Sequence, residues 1–179
     1  MRIISGKYRG KIILPGKFFS ARPTTDYAKE GLFNILRNRF DFETINVLDL
    51  FSGTGSITYE FLSLGVKEAM AVEINKKYAE FIEKTSSTLD FVSLVVIQDD
   101  VLKFIPACNY KYDIIFADPP YELPEIINIP DLVLDQEILR NDDSIFIMEH
   151  GPNLSFEDHS EFLDHRNYGK VNFTFFQRK

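Results

Sequence analysis

Short apolar runs and stretches of helical apolar spacing take turns along most of this chain. Ile45 to Phe51, Glu68 to Ile74, Ser93 to Gln98, Tyr112 to Ala117 and Ser144 to Glu149 read as strands. The fourth is almost unbroken in its apolar character, as expected of a parallel strand covered on both faces. Between them, Ser56 to Leu64, Asn75 to Leu89, Val101 to Ile105 and Asp131 to Leu139 carry apolar residues at helical spacing. Alternation at this pitch predicts βαβ units and a parallel sheet with helices on both sides. At the C-terminal end, Phe162 to Arg166 and Val171 to Gln177 flank the turn-like Asn167-Tyr168-Gly169-Lys170, so an antiparallel hairpin is expected there.

The first 40 residues follow another pattern. Met1 to Ile4 and Ile12 to Leu14, separated by Gly6 and Gly10 and closed by Pro15-Gly16, predict a β-hairpin or two. Arg22-Pro23-Thr24-Thr25-Asp26 then opens a helix with a threonine N-cap and an acid in the first turn. Ala28, Leu32, Ile35, Leu36 and Phe40 continue it, with Lys29, Arg37 and Arg39 assigned to its polar face. The polar stretch 41–46 is the expected junction between an N-terminal extension, residues 1–40, and a main domain, residues 41–179.

With 179 residues, 45% of them apolar, the chain can bury a sizeable core. One cysteine and three scattered histidines offer neither a disulfide framework nor zinc-ligand spacing, and no metal site is expected. No apolar window reaches spanning length and the N-terminus lacks the apolar core of a signal peptide, so a cytoplasmic location without membrane association is expected. The net charge of −7 conceals a division. Residues 1–39 hold nine basic and two acidic side chains, +7, whereas the remaining 140 hold 11 basic and 25 acidic, −14. A solvated face would explain a basic run, but confinement to one end, with Tyr8, Phe18 and Phe19 interleaved, points to a phosphate-facing patch of Lys7, Arg9, Lys11 and Arg22.

The chemistry concentrates where strands end. Asp118-Pro119-Pro120-Tyr121 follows the fourth strand, at the edge where open α/β sheets bind ligands. The prolines have no N–H and cannot extend the ladder. A carboxylate, free carbonyls and an aromatic face are thus offered together, a set that an amino group on a flat base would satisfy. The first strand runs into Asp49-Leu50-Phe51-Ser52-Gly53-Thr54-Gly55, a glycine turn opening a helix but lacking the third glycine of a dinucleotide loop. A plain tight turn would also account for it. Glu73 closes the second strand about 18 residues after Gly55, suited to ribose hydroxyls, and Asp99-Asp100 closes the third. Each acid alone could merely cap the next helix, but with Asp118 they form an acidic rim for a cationic, hydroxyl-rich nucleoside such as S-adenosylmethionine.

These motifs, in this order, are similar to those of class I methyltransferases acting on amino groups. Met1-Arg2-Ile3-Ile4-Ser5-Gly6, Arg22-Pro23-Thr24-Thr25-Asp26, Lys29-Glu30, Leu32 to Leu36 and Glu149-His150 narrow the likeness. The chain resembles the RsmD family, bacterial 16S ribosomal RNA guanine-N2 methyltransferases, from residue 1 to about 150 and again at Tyr168-Gly169-Lys170. It departs at Tyr27, where a basic residue is common, at Gly31, where alanine is usual, and at Gly151, where serine is frequent. Gly31 costs about 1 kcal/mol of helix propensity against alanine.

The resemblance implies a Rossmann-like, mostly parallel seven-stranded sheet with a C-terminal antiparallel hairpin, and a monomer acting on 16S ribosomal RNA within an assembling small subunit. Cofactor contacts fall on Asp49, Ser52, Gly53, Gly55, Glu73 and Asp100, catalysis on Asp118, Pro119, Pro120 and Tyr121, and RNA contacts on Lys7, Arg9, Lys11, Arg22 and Lys29. The residues bear such a mechanism independently. Asp118 and the Pro119 carbonyl can accept the hydrogens of an exocyclic amine and direct its lone pair at a methyl, and such positioning supplies roughly 7–11 kcal/mol. Guanine's adjacent N1–H and N2 amine match two carboxylate oxygens, whereas adenine places an acceptor there. Adenine-N6 methylation of DNA or RNA stays open as an alternative, as does a ribosome-assembly factor that keeps the fold without turnover. His150 is either a base-pocket residue or a structural histidine.

Overall fold

The computed structural model describes residues 1–16 and 24–179, so Arg22, Phe18 and Phe19 lie outside the described residues. In chain order the elements are α1 (Asp26–Arg37), β1 (Asn46–Leu50), α2 (Ser56–Ser63), β2 (Glu68–Val72), α3 (Lys76–Thr88), β3 (Leu94–Ile97), α4 (Val101–Ala107), β4 (Ile114–Ala117), α5 (Ile129–Asp135), β5 (Ile145–His150), β6 (Phe162–Tyr168) and β7 (Val171–Phe176). They build one seven-stranded sheet of order β3-β2-β1-β4-β5-β7-β6. The first five strands are parallel, and β7 returns antiparallel between β5 and β6. Strand order reverses between β1 and β4, so a crevice opens there at the carboxyl edge of the sheet.

Successive side chains of a strand face opposite ways, and the core divides accordingly. Val47, Ile114, Phe116, Ile145 and Ile147 join the cluster under α1, α2 and α3. Leu48, Ile115, Ala117, Phe146 and Met148 join the one under α4 and α5. Among the described residues, no helix is long and apolar enough to cross a membrane.

Helix α1 begins where the sequence indicates, the Thr25 hydroxyl accepting from the Ala28 N–H. The expected N-terminal hairpin is present in small form: among the described residues Arg2 and Ile12 make an antiparallel bridge, with Ile3 N–H donating to the Lys11 carbonyl (2.9 Å) and Ile13 N–H to the Met1 carbonyl (2.9 Å). Its loop docks on helix α2, Lys7 N–H donating to the Ser63 carbonyl (2.7 Å) and Tyr8 N–H to the Ser63 hydroxyl (2.9 Å). A Cβ on Gly6 would lie 1.9 Å from the Ser63 carbonyl oxygen, so only glycine permits this approach. The fifth helix spans residues 129–135, not 131–139. Pro130 is accommodated in its first turn, while Glu137 takes a left-handed φ of 58° and Leu139 forms a parallel bridge with Tyr112.

Every residue of α2 is buried. Ile3, Ile13 and the inner face of α1 share its core cluster, so the described part of residues 1–40 packs into the core of the main domain.

Candidate active site

Register brings the strand-end residues level. Leu50 pairs with Val72 on one side and Ala117 on the other, and Ala117 pairs with Met148. The next residues, Phe51, Glu73, Asp118 and Glu149, therefore leave the sheet side by side. They line one cavity of about 1060 Å³, together with Asp49, Ser52, Gly53, Thr54, Ser56, Asp100, Pro119, Pro120 and Tyr121. All four proposed catalytic residues and all proposed cofactor residues but Gly55 thus face one space.

The loop after β1 is held open by three left-handed residues, Phe51 (φ 57°), Gly53 (54°) and Gly55 (82°). Phe51 lacks glycine's freedom, and such strain collects at functional sites. A Cβ on Gly55 would meet the Tyr59 ring at 2.8 Å, which explains why this turn into α2 carries no side chain. Glu73 braces the loop: its Oε2 accepts from the Gly53 N–H and its Oε1 from the Asn75 N–H, both at 2.8 Å. Each oxygen keeps capacity for a further hydrogen bond, and Glu73 lines the cavity. Asp100 caps α4 by accepting from the Leu102 N–H, so it is both a cap and part of the wall. Ser52 turns inward, its hydroxyl donating to the Asp49 carbonyl (2.6 Å).

The buried carboxylates are the electrostatic centre. Asp49, 3% exposed, accepts a hydrogen bond from the Thr58 hydroxyl, yet burial raises its pKa to about 7. Glu149, 4% exposed, is likewise raised to about 7 by burial, opposed by the Thr24 hydroxyl that donates to its Oε2 (2.8 Å). Asp118 lies between them. Burial first, then Glu149 and Asp49, drive its pKa well above the usual carboxylate range. Three acids crowd one wall, and no cation is paired with any of them among the described residues. A ligand carrying positive charge would relieve that repulsion.

Tyr121 lies at the mouth, 46% exposed. Its ring packs so near Gly151 that a Cβ there would stand 3.1 Å from Cδ2. The Pro120 carbonyl accepts from the Leu123 N–H (2.9 Å), while no backbone donor among the described residues reaches the Pro119 carbonyl. On the cofactor side, Ile74 and Leu102 add an apolar wall, and the buried Ser56 hydroxyl has no partner among the described residues. That orphaned hydroxyl, the acidic wall and the open backbone at Gly53 fit S-adenosylmethionine, which carries a sulfonium, an ammonium and ribose hydroxyls.

Sequence reasoning passed over Glu149, Thr24 and Thr58 as site residues. The signal for Glu149 was its place at the end of the fifth strand, but only the β4–β5 pairing puts it beside Asp118. His150, singled out as ambiguous, is structural: 1% exposed, it bonds the Thr174 hydroxyl through Nε2 (2.8 Å) and the Gly151 carbonyl through Nδ1 (2.9 Å). Among the basic residues, Lys7, Arg9 and Lys11 are exposed. Lys7 stands at the Ser63 end of α2, away from the glycine loop at its other end. Lys29 is a correction. It is 1% exposed and points inward, its ammonium 2.9 Å from Glu60 Oε1 and 2.5 Å from the Arg2 carbonyl, so it cannot reach a phosphate. Periodicity missed this because an inward lysine looks like any polar residue until Glu60 is found opposite.

A family model described as "Conserved hypothetical protein 95" matches residues 1–177. Ribosomal RNA small subunit methyltransferase D of Buchnera aphidicola subsp. Baizongia pistaciae is 33% identical over 147 residues, covering 82% of this chain and 74% of that protein. The solved structure of the Escherichia coli protein yhhF, which carries a methyltransferase name, superposes with a TM-score of 0.84 at 26% identity over 100% of this chain and 98% of that one. A Streptococcus mutans protein named as SAM-dependent shares the fold, with a TM-score of 0.65 at 17% identity over 84% of this chain and 48% of that one. A likeness that runs almost end to end, meeting a cavity built for a cationic nucleoside, leads to one conclusion: the chain belongs to the RsmD family of S-adenosylmethionine-dependent methyltransferases.

Proposed function

We propose that the chain methylates the exocyclic N2 amine of a guanine in small-subunit (16S) ribosomal RNA. Asp118 carries this reading: a carboxylate at the switch point of the sheet, between a free proline carbonyl and an aromatic ring, sharing its cavity with the cofactor wall. The names of relatives such as the Buchnera methyltransferase support ribosomal RNA as substrate.

When bound, S-adenosylmethionine supplies an electrophilic methyl on a sulfonium. Glu73, fixed by two backbone N–H groups, would accept from the ribose hydroxyls, and Asp100 would offer a second acceptor. Ile74 and Leu102 would cover the adenine, while Asp49 and the Ser56 hydroxyl would serve the amino-acid end. On the substrate side Tyr121 would stack on the extruded base, worth about 1–3 kcal/mol. Asp118 and the Pro119 carbonyl would take the amine hydrogens and localise its lone pair. Asp118 then stabilises the positive charge growing on nitrogen. Its raised basicity also equips it to take the proton once the methylated nitrogen has become a strong acid, with Glu149 and Thr24 adjoining. The basic N-terminal residues Lys7, Arg9, Lys11 and Arg22 would contact phosphates as a monomer engages an assembling subunit in the cytoplasm.

The test uses cofactor labelled in its methyl group and small-subunit RNA or immature particles, followed by digestion to nucleosides. Label in N2-methylguanosine is expected, and Asp118→Asn should lower turnover about 10²–10³-fold while still binding cofactor. Label in N6-methyladenosine would refute the guanine assignment. Full activity of Asp118→Asn would refute the mechanism.

A further inference from the structure

A second groove of about 640 Å³ runs between the N-terminal segment and α1, with three arginines (Arg2, Arg9, Arg37) and two acids (Asp26, Glu30) in its walls beside Tyr27. Tyr27 stands where this groove approaches the catalytic cavity. The residue is 69% exposed, yet its ring is not adrift: it meets Tyr168 edge-on, centroids 5.5 Å apart at 79°. Tyr168 lines the catalytic cavity and rests on Phe173, centroids 5.8 Å apart. One turn of α1 beyond Tyr27, Gly31 makes this arrangement possible. A Cβ at that position would lie 2.2 Å from two carbons of the Tyr168 ring, so the ring can lie against the helix backbone only because no side chain intervenes.

Charge indicates what the exposed ring receives. Arg2 is engaged by Asp26 at 2.8 Å, but no carboxylate among the described residues pairs with Arg9 or Arg37. An exposed aromatic face in a groove that also holds two unpaired guanidinium groups, Arg37 about 15 Å along α1 from Tyr27, matches a base and the phosphates farther along its strand. An apolar protein segment would leave both charges without counterions.

We propose that Tyr27, braced by Tyr168 over Gly31, is a stacking platform for an unpaired base flanking the target guanine, with phosphates farther along its strand held at Arg9 and Arg37. The inference rests on the RNA-methylation reading and adds where the strand runs after leaving the cavity. Stacking tolerates any base, so the platform selects single-stranded flanks and not a sequence.

The chain contains no tryptophan, so Tyr27→Trp installs a sole indole at the platform. Its emission is expected to be quenched on titration with a single-stranded RNA oligonucleotide and unaffected by a fully paired duplex of the same sequence. In methyl-transfer assays Tyr27→Leu should raise KM for RNA by about 5- to 150-fold with kcat and cofactor affinity unchanged, and Tyr27→Phe should behave as wild type. Arg9→Gln should reduce the salt dependence of RNA binding by about one charge. Absence of quenching, or a Tyr27→Leu KM within twofold of wild type, overturns the platform while leaving RNA methylation standing. Quenching by ribosomal proteins but not by RNA also overturns it, assigning the ring to a protein contact. If the wild-type chain methylates no RNA, the methylation reading fails, and the quench titration still judges the platform by itself.

Discussion

Replacing Lys29 by methionine tests whether the N-terminal segment is bolted to the domain by one buried ion pair. Lys29 and Glu60 are 1% and 0% exposed, with Nζ and Oε1 2.9 Å apart. Glu60 also accepts from the Ile4 N–H (2.9 Å) and the Ser5 hydroxyl (3.1 Å), and the Lys29 ammonium donates to the Arg2 carbonyl. The pair thus ties α1, α2 and residues 2–5 at one point. Methionine fills similar volume but leaves a buried carboxylate without its cation, a loss of about 3–5 kcal/mol. For a chain of 179 residues this corresponds to a fall in Tm on the order of 6–20 °C. Equilibrium urea unfolding at pH 7, followed by circular dichroism, measures it. Adding Glu60→Gln to Lys29→Met removes the stranded charge, and the double variant should recover part of the lost stability. A loss below about 1 kcal/mol for Lys29→Met, or a double variant that loses the sum of the two singles, would refute the reasoning. A surface lysine would behave in the first of those ways, since substitutions there stay within about 0.5 kcal/mol.

Titration of the acidic wall has a definite sign. Asp49 and Glu149 have pKa values raised to about 7 in the folded chain, against about 4 when unfolded, so the folded state holds protons the unfolded state has lost. Their contribution to apoprotein stability is therefore greatest in mild acid and declines as pH rises from about 4 to about 7. Urea midpoints should show that decline, reduced in Glu149→Gln, and an equal slope in variant and wild type would refute it. A cationic cofactor favours the ionised carboxylates, so calorimetry at pH 6 should register proton release on binding. Gly55→Ala forces a left-handed φ of 82° and a Cβ at 2.8 Å from the Tyr59 ring, so about 1–3 kcal/mol of stability and most cofactor affinity should be lost. Wild-type calorimetric binding by that variant would contradict the cradle. Gly151→Ala should push on the Tyr121 ring and lower kcat with little change in Tm, whereas an unchanged kcat would show that ring position is slack.

The alternation of strands and helices, the glycine loop and the acids and Asp-Pro-Pro-Tyr at strand ends are legible in the order of residues alone. Each of these is written in local periodicity or in residues with few backbone options. Adjacency came only with folding. Glu149 follows Asp118 by 31 positions and became its neighbour only through the pairing of β4 with β5. Lys29 looked like a surface residue until α1 packed against α2 and presented Glu60 to it. The loop of the N-terminal hairpin is fixed by the carbonyl and hydroxyl of Ser63 at the end of α2, a partner more than 50 positions away. Gly31 reads as a weak helix residue until Tyr168, arriving from the hairpin, occupies the room its missing side chain leaves. Local pattern fixes what each segment can become, whereas charge pairing, burial and close approach depend on partners far along the chain, and only the folded arrangement brings those partners together.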